Sequence, residues 1–329
     1  MGPREQPLNE LPFVSVVVCT RNRAAILAQS SVALLAVDYP PDRWEVLIVD
    51  NRSTDDTLRV AHEIARRRPD LVQVVEEREL GLSATRNAGV RRARGEIIAF
   101  ADDDSFPEPA WLRTLVETLL REDALVVGGA VEPWFQGELP PWFTERYLVY
   151  VTEWDRGPEI QELTYNDYPR GANIAFRREA FERFGLFSTH LGYKGDRLVS
   201  CDEIEFCLRI ERGGGRILYV PGAPVRHITA AERITPRWLA RRFAGQSHSE
   251  AILDWQHAGW KGLRRGLPWF YRHARQAARQ RHLPPDGEVF ARCWRRALLG
   301  YAIGVLHAPL TVPRYRPIEG TAADWLPRA

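Results

Sequence analysis

The segment 96–105, EIIAFADDDS, decides the fold because an apolar run ends there in three consecutive carboxylates. Residues 97–101 show no alternation of apolar and polar side chains, which predicts a strand buried on both faces of a parallel sheet. Asp102, Asp103 and Asp104 then follow the carboxyl end of this strand, where open α/β sheets bind ligands. Because adjacent anions repel one another, either a cation such as Mg²⁺ or Mn²⁺ neutralises them or they form a solvated acidic turn.

The chain before this segment repeats a pattern of a buried strand followed by a helix. Continuous β-branched and apolar runs indicate the strands, and longer stretches without such runs indicate the helices. Four strands that alternate with helices predict a doubly wound, mostly parallel sheet flanked by helices, an α/β fold. The strands that precede the acidic one are expected at 14–19, 45–49 and 71–75, and the helices at about 24–36, 53–68 and 83–94.

Polar residues directly follow three of the predicted strands. Thr20, Asp50 and Asp102 each come just after an apolar run. Because right-handed crossovers bring the carboxyl ends of parallel strands to one edge of the sheet, these side chains are expected to converge on one ligand. Ser53 with Asp56 three residues later has the form of a capping box that opens the second helix.

Two common nucleotide-binding motifs are absent from the sequence. No GxGxxG follows the first strand, which disfavours a dinucleotide-dependent dehydrogenase, and no GxxxxGK[ST] occurs, which excludes the P-loop enzymes. A nucleotide held without a glycine-rich loop needs another positive charge to neutralise its diphosphate. A metal ion at Asp102 to Asp104 would supply that charge.

Six segments of the chain occur in the same order as the motifs of family 2 glycosyltransferases, which the chain therefore resembles. That resemblance, from about Phe13 to His227, implies a GT-A fold, a nucleotide-diphosphate sugar as donor, and inversion of the anomeric centre. The six segments are VSVVVCTRNR (14–23), EVLIVDNRSTDDT (45–57), GLSATRNAGVRRARGEIIAFADDDS (81–105), RGANIAFRREAFERFGLF (170–187), CDEIEFCLRIERGGGRILYVP (201–221) and VRH (225–227).

The resemblance also implies which residues bind the donor. Residues that match family positions for the nucleotide are Thr20, Arg21, Asp50, Arg86, Asp102 and Asp103, and those that match the divalent metal site are Asp104, Asp102 and His227. Other roles remain open for three of them. Asp50 would also serve as a helix cap, Arg86 would also suit a solvated helix face, and His227 would also be satisfied by packing and a hydrogen bond.

The acidic pair Asp202 and Glu203 opens a predicted helix, where the family carries the base that deprotonates the acceptor hydroxyl. The resemblance makes Glu203 the expected base, with Asp202 as the alternative, although the family's usual order is Glu followed by Asp. Carboxylates in a first helical turn also complement the helix dipole, which is a structural role that needs no catalysis.

Two residues are candidates for contact with the donor sugar or the acceptor. Asn173 matches a family position in RGANIAF, and the alternative role for it is to satisfy backbone groups. Trp142 lies in the aromatic-rich segment 132–170, which has no clear periodicity. Aromatic faces suit an acceptor platform, but the same side chains also suit the cover of a core edge.

The charge is divided between two parts of the chain. Residues 226–329 carry 18 Lys and Arg against 7 Asp and Glu, whereas residues 1–225 carry 27 against 36. The basic tail, with its helical stretches, predicts either peripheral contact with an anionic membrane surface or an appendage that packs on the acidic body. Binding to nucleic acid is disfavoured because no reader motif is visible. The four cysteines show no metal-ligand spacing and favour a reducing, cytoplasmic compartment.

These features predict an N-terminal extension at 1–12, a GT-A-like catalytic domain at 13–230 and an Arg-rich helical region at 231–329. The donor half of the catalytic domain is expected at about 13–105 and the acceptor half at about 106–230.

The expected activity is transfer of a sugar from a UDP-, GDP- or dTDP-linked donor to a hydroxyl acceptor, which would be a glycan, a lipid-linked or a small molecule. The alternative is a non-catalytic subunit that binds sugar nucleotides, and the acidic pair Asp202 and Glu203 distinguishes the two because a binding subunit needs no base. A sugar nucleotidyltransferase is disfavoured since TRNRAAIL (20–27) lacks a glycine-rich loop.

Overall fold

A computed structural model of the chain describes residues 11–165 and 167–315. The expected extension at 1–12 therefore lies almost entirely outside the described residues, as does the end of the basic tail at 316–329. The strands are β1 Val14–Thr20, β2 Trp44–Asp50, β3 Val72–Glu76, β4 Ile97–Asp102, β5 Ser105–Pro107, β6 Val126–Phe135, β7 Gln161–Glu162, β8 Asn173–Arg177 and β9 Ile217–Thr229. The α-helices are α1 Ala24–Leu34, α2 Thr57–Arg67, α3 Leu82–Arg92, α4 Trp111–Arg121, α5 Arg178–Phe184, α6 Asp202–Arg212, α7 Pro236–Ala258, α8 Trp260–Arg279 and α9 Gly287–Thr311.

One mixed sheet runs through the molecule in the order β3-β2-β1-β4-β8-β6-β9-β5, with β7 added beside β9. The half made of β3, β2, β1 and β4 is entirely parallel, and β6 pairs with β9 in parallel as well. Strand β8 joins the two parts by antiparallel pairing with both β4 and β6. The four predicted strands and the three helices between them are thus confirmed.

Side chains on both faces of the sheet are buried. In β1, Val14, Val16 and Val18 enter the core on one face, whereas Val17 enters the core on the other. Alternate residues of β4 divide between the same two cores. Burial on both faces explains why these strands read as continuous apolar runs.

The pairing register brings the predicted polar residues to one edge. Thr20 lies opposite Asp50, and Cys19 lies opposite Asp102, so the carboxyl ends of β1, β2 and β4 are adjacent. The expected convergence of Thr20, Asp50 and Asp102 is therefore confirmed as a placement at one sheet edge.

The predicted capping box at Ser53 is wrong. Helix α2 begins at Thr57, and its N-cap Asp56 makes no side-chain capping bond. The Ser53 hydroxyl instead accepts a hydrogen bond from the backbone N–H of Asn22 at 3.0 Å. The Ser53 side chain joins the loops after β1 and β2, because a contact across strand ends competes with local capping.

After β9 the chain forms α7, α8 and α9, which build a core of their own with the segment around 143–151. Helix α7 starts with Pro236 in its first turn, and Thr235 accepts a hydrogen bond from the Trp238 N–H at 3.2 Å. Helices α7 and α9 approach closely at Gly300, where an added Cβ would lie 2.2 Å from the Ala244 carbonyl oxygen. In the part of the chain that is described, no helix is both long and apolar enough to cross a membrane.

Candidate functional site

All three predicted metal-site residues, Asp102, Asp104 and His227, come together at the sheet edge. One ligand atom from each side chain lies within 4.8 Å of the others. Pairing of β5 with β9 places His227 opposite Ser105, next to the acidic run. His227 Nε2 lies 3.0 Å from Asp104 Oδ1 and 3.6 Å from Asp102 Oδ2. Two carboxylate oxygens and one imidazole nitrogen are ligands that suit Mn²⁺ or Mg²⁺, so the residues fit a divalent cation.

Protein cations surround Asp104 in the structure. Arg23 contacts Asp104 directly and lies 3.4 Å from Asp103, while Arg233 lies 3.6 Å from Asp104. Burial opposes ionisation of Asp104, yet His227 and Arg23 hold the pKa of that carboxyl well below its usual range. Burial likewise opposes a charge on His227, but the Asp104 carboxylate raises the imidazole pKa to about 9. The acidic run is therefore a buried, charge-compensated cluster and not a solvated turn.

The residues expected at the nucleotide lie beside this cluster. Thr20 donates its hydroxyl hydrogen bond to Asp103 Oδ2 at 2.7 Å, and burial raises the pKa of Asp103 to about 7. Asp50 accepts from the Ser53 N–H at 3.1 Å through Oδ2, while its buried Oδ1 has no hydrogen-bond partner. The buried Nε of Arg21 also lacks a partner. Asp50 and Arg21 thus retain unsatisfied polar atoms at the sheet edge.

The acidic pair lies at the start of α6, and Arg86 from α3 connects it to the sheet edge. Arg86 is buried, so the alternative of a solvated helix face is wrong. Its guanidinium lies 2.5 Å from Asp202, 3.7 Å from Glu203 and 3.9 Å from Asp102. Gly171 makes room for it, since an added Cβ there would lie 2.0 Å from Arg86 Nη2. Arg86 thus connects Asp102, in the expected donor half, with the acidic pair Asp202 and Glu203.

The two acids of the pair have different environments. Asp202 is 1% exposed, and although burial opposes its charge, Arg86 lowers the pKa of Asp202. Glu203 is more exposed, with 16% of its side chain accessible. Burial and the neighbouring Asp202 charge raise the pKa of Glu203 to about 7. A carboxylate with a pKa near neutrality is the better general base, and this difference favours Glu203 over Asp202.

A cavity of about 600 Å³ opens beside this pair. Its wall includes Arg86, Asp102 and Glu203 together with side chains of α7 and α8. Aromatic rings of Tyr150 and Trp269 also line it. Helices α7 and α8 therefore form part of the candidate active site. In the domain division expected from the sequence, these helices belong to a region separate from the catalytic domain.

Asn173 lies in the core and not in this cavity. It is 0% exposed, it accepts from Trp111 Nε1 at 2.7 Å, and its amide donates to the carbonyl oxygens of Ala130 and Ala223 at 2.9 and 2.7 Å. All of its polar groups are engaged, so the structure corrects the expected contact with the sugar or acceptor. The alternative role, satisfaction of backbone groups, describes it.

Trp142 is also placed away from the cavity. It packs against Phe143 and Tyr147, with ring centroids 5.7 and 6.0 Å apart, in the core built by the C-terminal helices. Its ring therefore covers a core edge, the alternative role considered for it, and contact of Trp142 with the acceptor stays a prediction.

Sequence reasoning missed several charged residues of the site. Arg23 and Arg233 contact the acidic run, and Arg170 and Arg242 line the cavity. Arg23 follows β1 within TRNR, and its position just beyond a strand end was a usable signal. Arg242 lies among many arginines of the tail, and only the packing of α7 against the site distinguishes it.

Comparison with known proteins identifies the family of the chain. The sequence profile "Glycosyl transferase family 2" matches residues 15–185, which is more than half of the chain. A "glucosyl-dolichyl phosphate glucuronosyltransferase" of Haloferax volcanii is 34% identical over 246 residues, 73% of this chain and 77% of that protein. The "succinoglycan biosynthesis protein ExoM" of Rhizobium meliloti is 27% identical over 254 residues, 76% of this chain and 78% of that protein.

Solved structures share the fold. The mannosyltransferase PcManGT from Pyrobaculum calidifontis, solved with GDP-Man and Mn²⁺, superposes with a TM-score of 0.60 at 23% identity and covers 91% of this chain and 88% of its own. S. aureus TarS 1–349, solved with UDP-GlcNAc, gives a TM-score of 0.52 at 16% identity, with 89% and 90% covered. At these sequence identities, the structural similarity establishes the fold alone. Together with the family match, it shows that the chain belongs to glycosyl transferase family 2 and is a glycosyltransferase with the GT-A fold.

Proposed function

We propose that the protein is a metal-dependent, inverting glycosyltransferase in which Glu203 is the catalytic base. The observation that carries the proposal is that Glu203 and Asp102 line the same cavity, within 3.7 and 3.9 Å of the Arg86 guanidinium. A base and an acidic metal-site residue at one cavity are what a single displacement at an anomeric carbon requires.

In this mechanism the acceptor oxygen forms a bond to the anomeric carbon while the bond from that carbon to the diphosphate oxygen breaks. The bonding electrons leave with the diphosphate, and the hydroxyl proton passes to the Glu203 carboxylate. General-base assistance of this kind contributes about 10²–10⁴-fold to the rate. Asp102, Asp104 and His227 would hold a divalent cation, which would supply Lewis-acid stabilisation of the leaving diphosphate. Arg86 keeps Asp202 ionised and paired, which leaves Glu203 to accept the proton.

The donor nucleotide would bind along the carboxyl ends of β1 and β2. Asp50 Oδ1 is a buried acceptor without a partner, and Arg21 Nε is a buried donor without one, so both are available to a polar ligand. Thr20 and Asp103 already bind each other and shape the floor of the site. Solved GT-A structures hold GDP-Man and UDP-GlcNAc, which supports a nucleotide-sugar donor here.

The acceptor is proposed to be lipid-linked and the enzyme to be cytoplasmic, in contact with a membrane surface. The relative from Haloferax volcanii is named for a dolichyl phosphate acceptor. An exposed apolar stripe along α9, made of Leu299, Ile303, Leu306 and Leu310, lies on the same helix face as Arg292 and Arg296. Apolar side chains next to arginines suit the interface of an anionic membrane.

The proposed activity is tested by a screen of UDP-, GDP- and dTDP-sugars with and without Mn²⁺. Binding heat and release of nucleotide diphosphate are measured for the wild type, Glu203→Gln, Asp104→Asn and the exposed control Glu138→Gln. We expect metal-dependent binding of one donor with slow release of its diphosphate. Glu203→Gln should keep binding and lose at least about 10²-fold in release, Asp104→Asn should lose metal-dependent binding, and Glu138→Gln should match the wild type.

The absence of binding to every donor would contradict the proposal. Tight binding of one donor without turnover, even with a panel of lipid-linked and soluble acceptors, would instead favour a non-catalytic sugar-nucleotide-binding subunit. Equal turnover by Glu203→Gln and wild type would remove Glu203 as the base and return the role to Asp202.

A further inference from the structure

Two arginines in the cavity wall each keep one guanidinium nitrogen without a hydrogen-bond partner. Arg170 and Arg242 both line the 600 Å³ cavity, and the Nε of each is buried without a hydrogen-bond partner. Within residues 11–165 and 167–315, neither guanidinium forms an ion pair with a carboxylate. Both arginines are partly buried, and a guanidinium in a cavity wall without a carboxylate partner suits an anionic ligand. The missing partner points to an anionic ligand.

The two charges act on each other across the cavity. Burial lowers the pKa of Arg170, the nearby Glu203 charge opposes that effect, and the positive charges of Arg156 and Arg242 add to it. Arg170 is thus within electrostatic reach of both Glu203 and Arg242. An anion between the two guanidinium groups would remove their mutual repulsion.

Arg242 is held in position by neighbours that do not neutralise it. Its Nη1 donates to Ser200 Oγ at 3.1 Å and to Gln246 Oε1 at 3.0 Å. Ser200 also donates to Gln246 Oε1 at 2.7 Å, so the three side chains form one network. Gln246 in turn donates to Glu250 Oε1 at 3.1 Å, so a carboxylate lies next to the network, but the Arg242 guanidinium itself bonds only to the neutral Ser200 and Gln246 side chains. Guanidinium groups bind phosphate oxygens with matching geometry.

The position of the cavity assigns the anion to the acceptor. The cavity wall includes the candidate base Glu203 as well as Arg86 and Asp102, which are expected at the donor, but among the described residues it includes neither Thr20 nor Asp50. Tyr150, Trp269 and Phe270 line the same cavity and suit the apolar or glycan part of an acceptor. We propose that Arg170 and Arg242 form a phosphate-binding subsite that selects acceptors bearing a phosphate group next to the glycan. This subsite rests on the proposed glycosyltransferase function.

The test measures binding of inorganic phosphate, octyl phosphate and octyl glucoside to the full chain by calorimetry. The variants are Arg170→Gln and Arg242→Gln, with the exposed Arg275→Gln on α8 as the matched control. We expect phosphate-bearing probes to bind the wild type and to lose affinity by about tenfold or more in each site variant, while Arg275→Gln stays unchanged. Octyl glucoside should bind more weakly than octyl phosphate.

Comparison of octyl phosphate with inorganic phosphate distinguishes a lipid phosphate from a soluble one. Octyl phosphate that binds at least about tenfold more tightly than inorganic phosphate would indicate a lipid phosphate, and equal binding would indicate a soluble phosphorylated acceptor. Thermal unfolding verifies that each variant is folded, and Arg170→Lys and Arg242→Lys, which retain the charge, should recover part of the affinity. These variants keep the test valid where a glutamine variant fails to fold.

Three results would overturn the subsite: no phosphate probe binds, the site variants bind as well as the wild type, or saturating UDP, GDP or dTDP with Mn²⁺ displaces the probe. Displacement would assign the arginines to the donor diphosphate. The donor screen is independent, so the two proposals fail separately. Donor binding without phosphate binding would leave the glycosyltransferase proposal intact, whereas phosphate binding without any donor would remove that proposal and, with it, the acceptor role of the two arginines.

Discussion

Two adjacent carboxylates, Asp202 and Glu203, differ in chemistry because their surroundings differ. Arg86 lies 2.5 Å from Asp202 and 3.7 Å from Glu203, so the closer acid is the ionised partner of a buried ion pair. Glu203 is left with burial and a negative neighbour, and its pKa rises to about 7. The position of one guanidinium thus separates a structural acid from a candidate base.

This difference predicts the pH dependence of the reaction. A general base works in its unprotonated form, so kcat/KM should fall about tenfold per pH unit below pH 7 and level off above it. The measurement is a rate profile from pH 5 to 9 with the donor found in the screen. Glu203→Gln should lack the limb near pH 7, because no titrating base remains. A wild-type profile that stays flat down to pH 5 would contradict the assignment.

At the scale of elements, Asn173 at the start of β8 joins three parts of the sheet. Its side chain bonds to Trp111 of α4 and to the backbone at Ala130 of β6 and Ala223 of β9. The family resemblance draws attention to Asn173, but it suggests contact with the sugar or acceptor and does not suggest this structural role. A buried amide that satisfies two carbonyls and an indole N–H stabilises strand pairing beneath the site.

Replacement of Asn173 distinguishes this structural role from sugar binding. Asn173→Ala should lower the free energy of unfolding by about 1–3 kcal/mol, because it leaves buried polar groups unpaired. Chemical denaturation measures this change, with the exposed Gln276→Ala as a control that should stay within about 0.5 kcal/mol of the wild type. Folded Asn173→Ala should keep its KM for the donor within twofold. A large rise in donor KM with unchanged stability would restore the sugar-contact role.

The elements themselves were largely predictable, and the exceptions have a physical cause. Strands β1, β2 and β4 are buried on both faces, and such burial leaves a continuous apolar run that the sequence displays. The start of α2 was missed because Ser53 binds the loop after β1 across the strand ends. The segment 132–170 shows no hydrophobic periodicity. Aromatic side chains in it, such as Phe143 and Tyr147, pack irregularly against α7 and α9.

At the scale of the whole molecule, the acidic body and the basic tail meet at the candidate active site. Arg233 reaches Asp104, and Arg242 of α7 enters the cavity beside Glu203. Other tail residues point outward, and the exposed face of α9 carries Leu306 and Leu310 at 73% and 85% exposure. The tail therefore completes the site on one side and offers an apolar, arginine-flanked face on the other.

That outer face predicts binding to membranes that contain anionic lipid. The wild type should co-sediment with vesicles of phosphatidylglycerol and phosphatidylcholine, more weakly as salt rises. The double variant Ile303→Glu with Leu306→Glu should lose about tenfold or more in affinity, since two apolar side chains no longer enter the interface. Val32→Glu, at an equally exposed apolar position on α1, should bind as the wild type does.

Light scattering separates the membrane from a second copy of the chain as the occupant of this face. Failure to bind vesicles, together with a dimer that the double variant converts to monomer, would contradict the membrane proposal. Equal vesicle binding by the wild type and the double variant would contradict it as well.

The sequence by itself determined the parallel half of the sheet, the acidic run at its edge and the family motifs, because each depends on local order along the chain. Apolar runs, strand-end carboxylates and motif spacing are all visible without contacts. Only the tertiary structure decided what each charged side chain pairs with, since ion pairs such as Arg86 with Asp202 join residues far apart in sequence. The same reason hid the role of α7, whose Arg242 acquires meaning only when the helix packs beside Glu203.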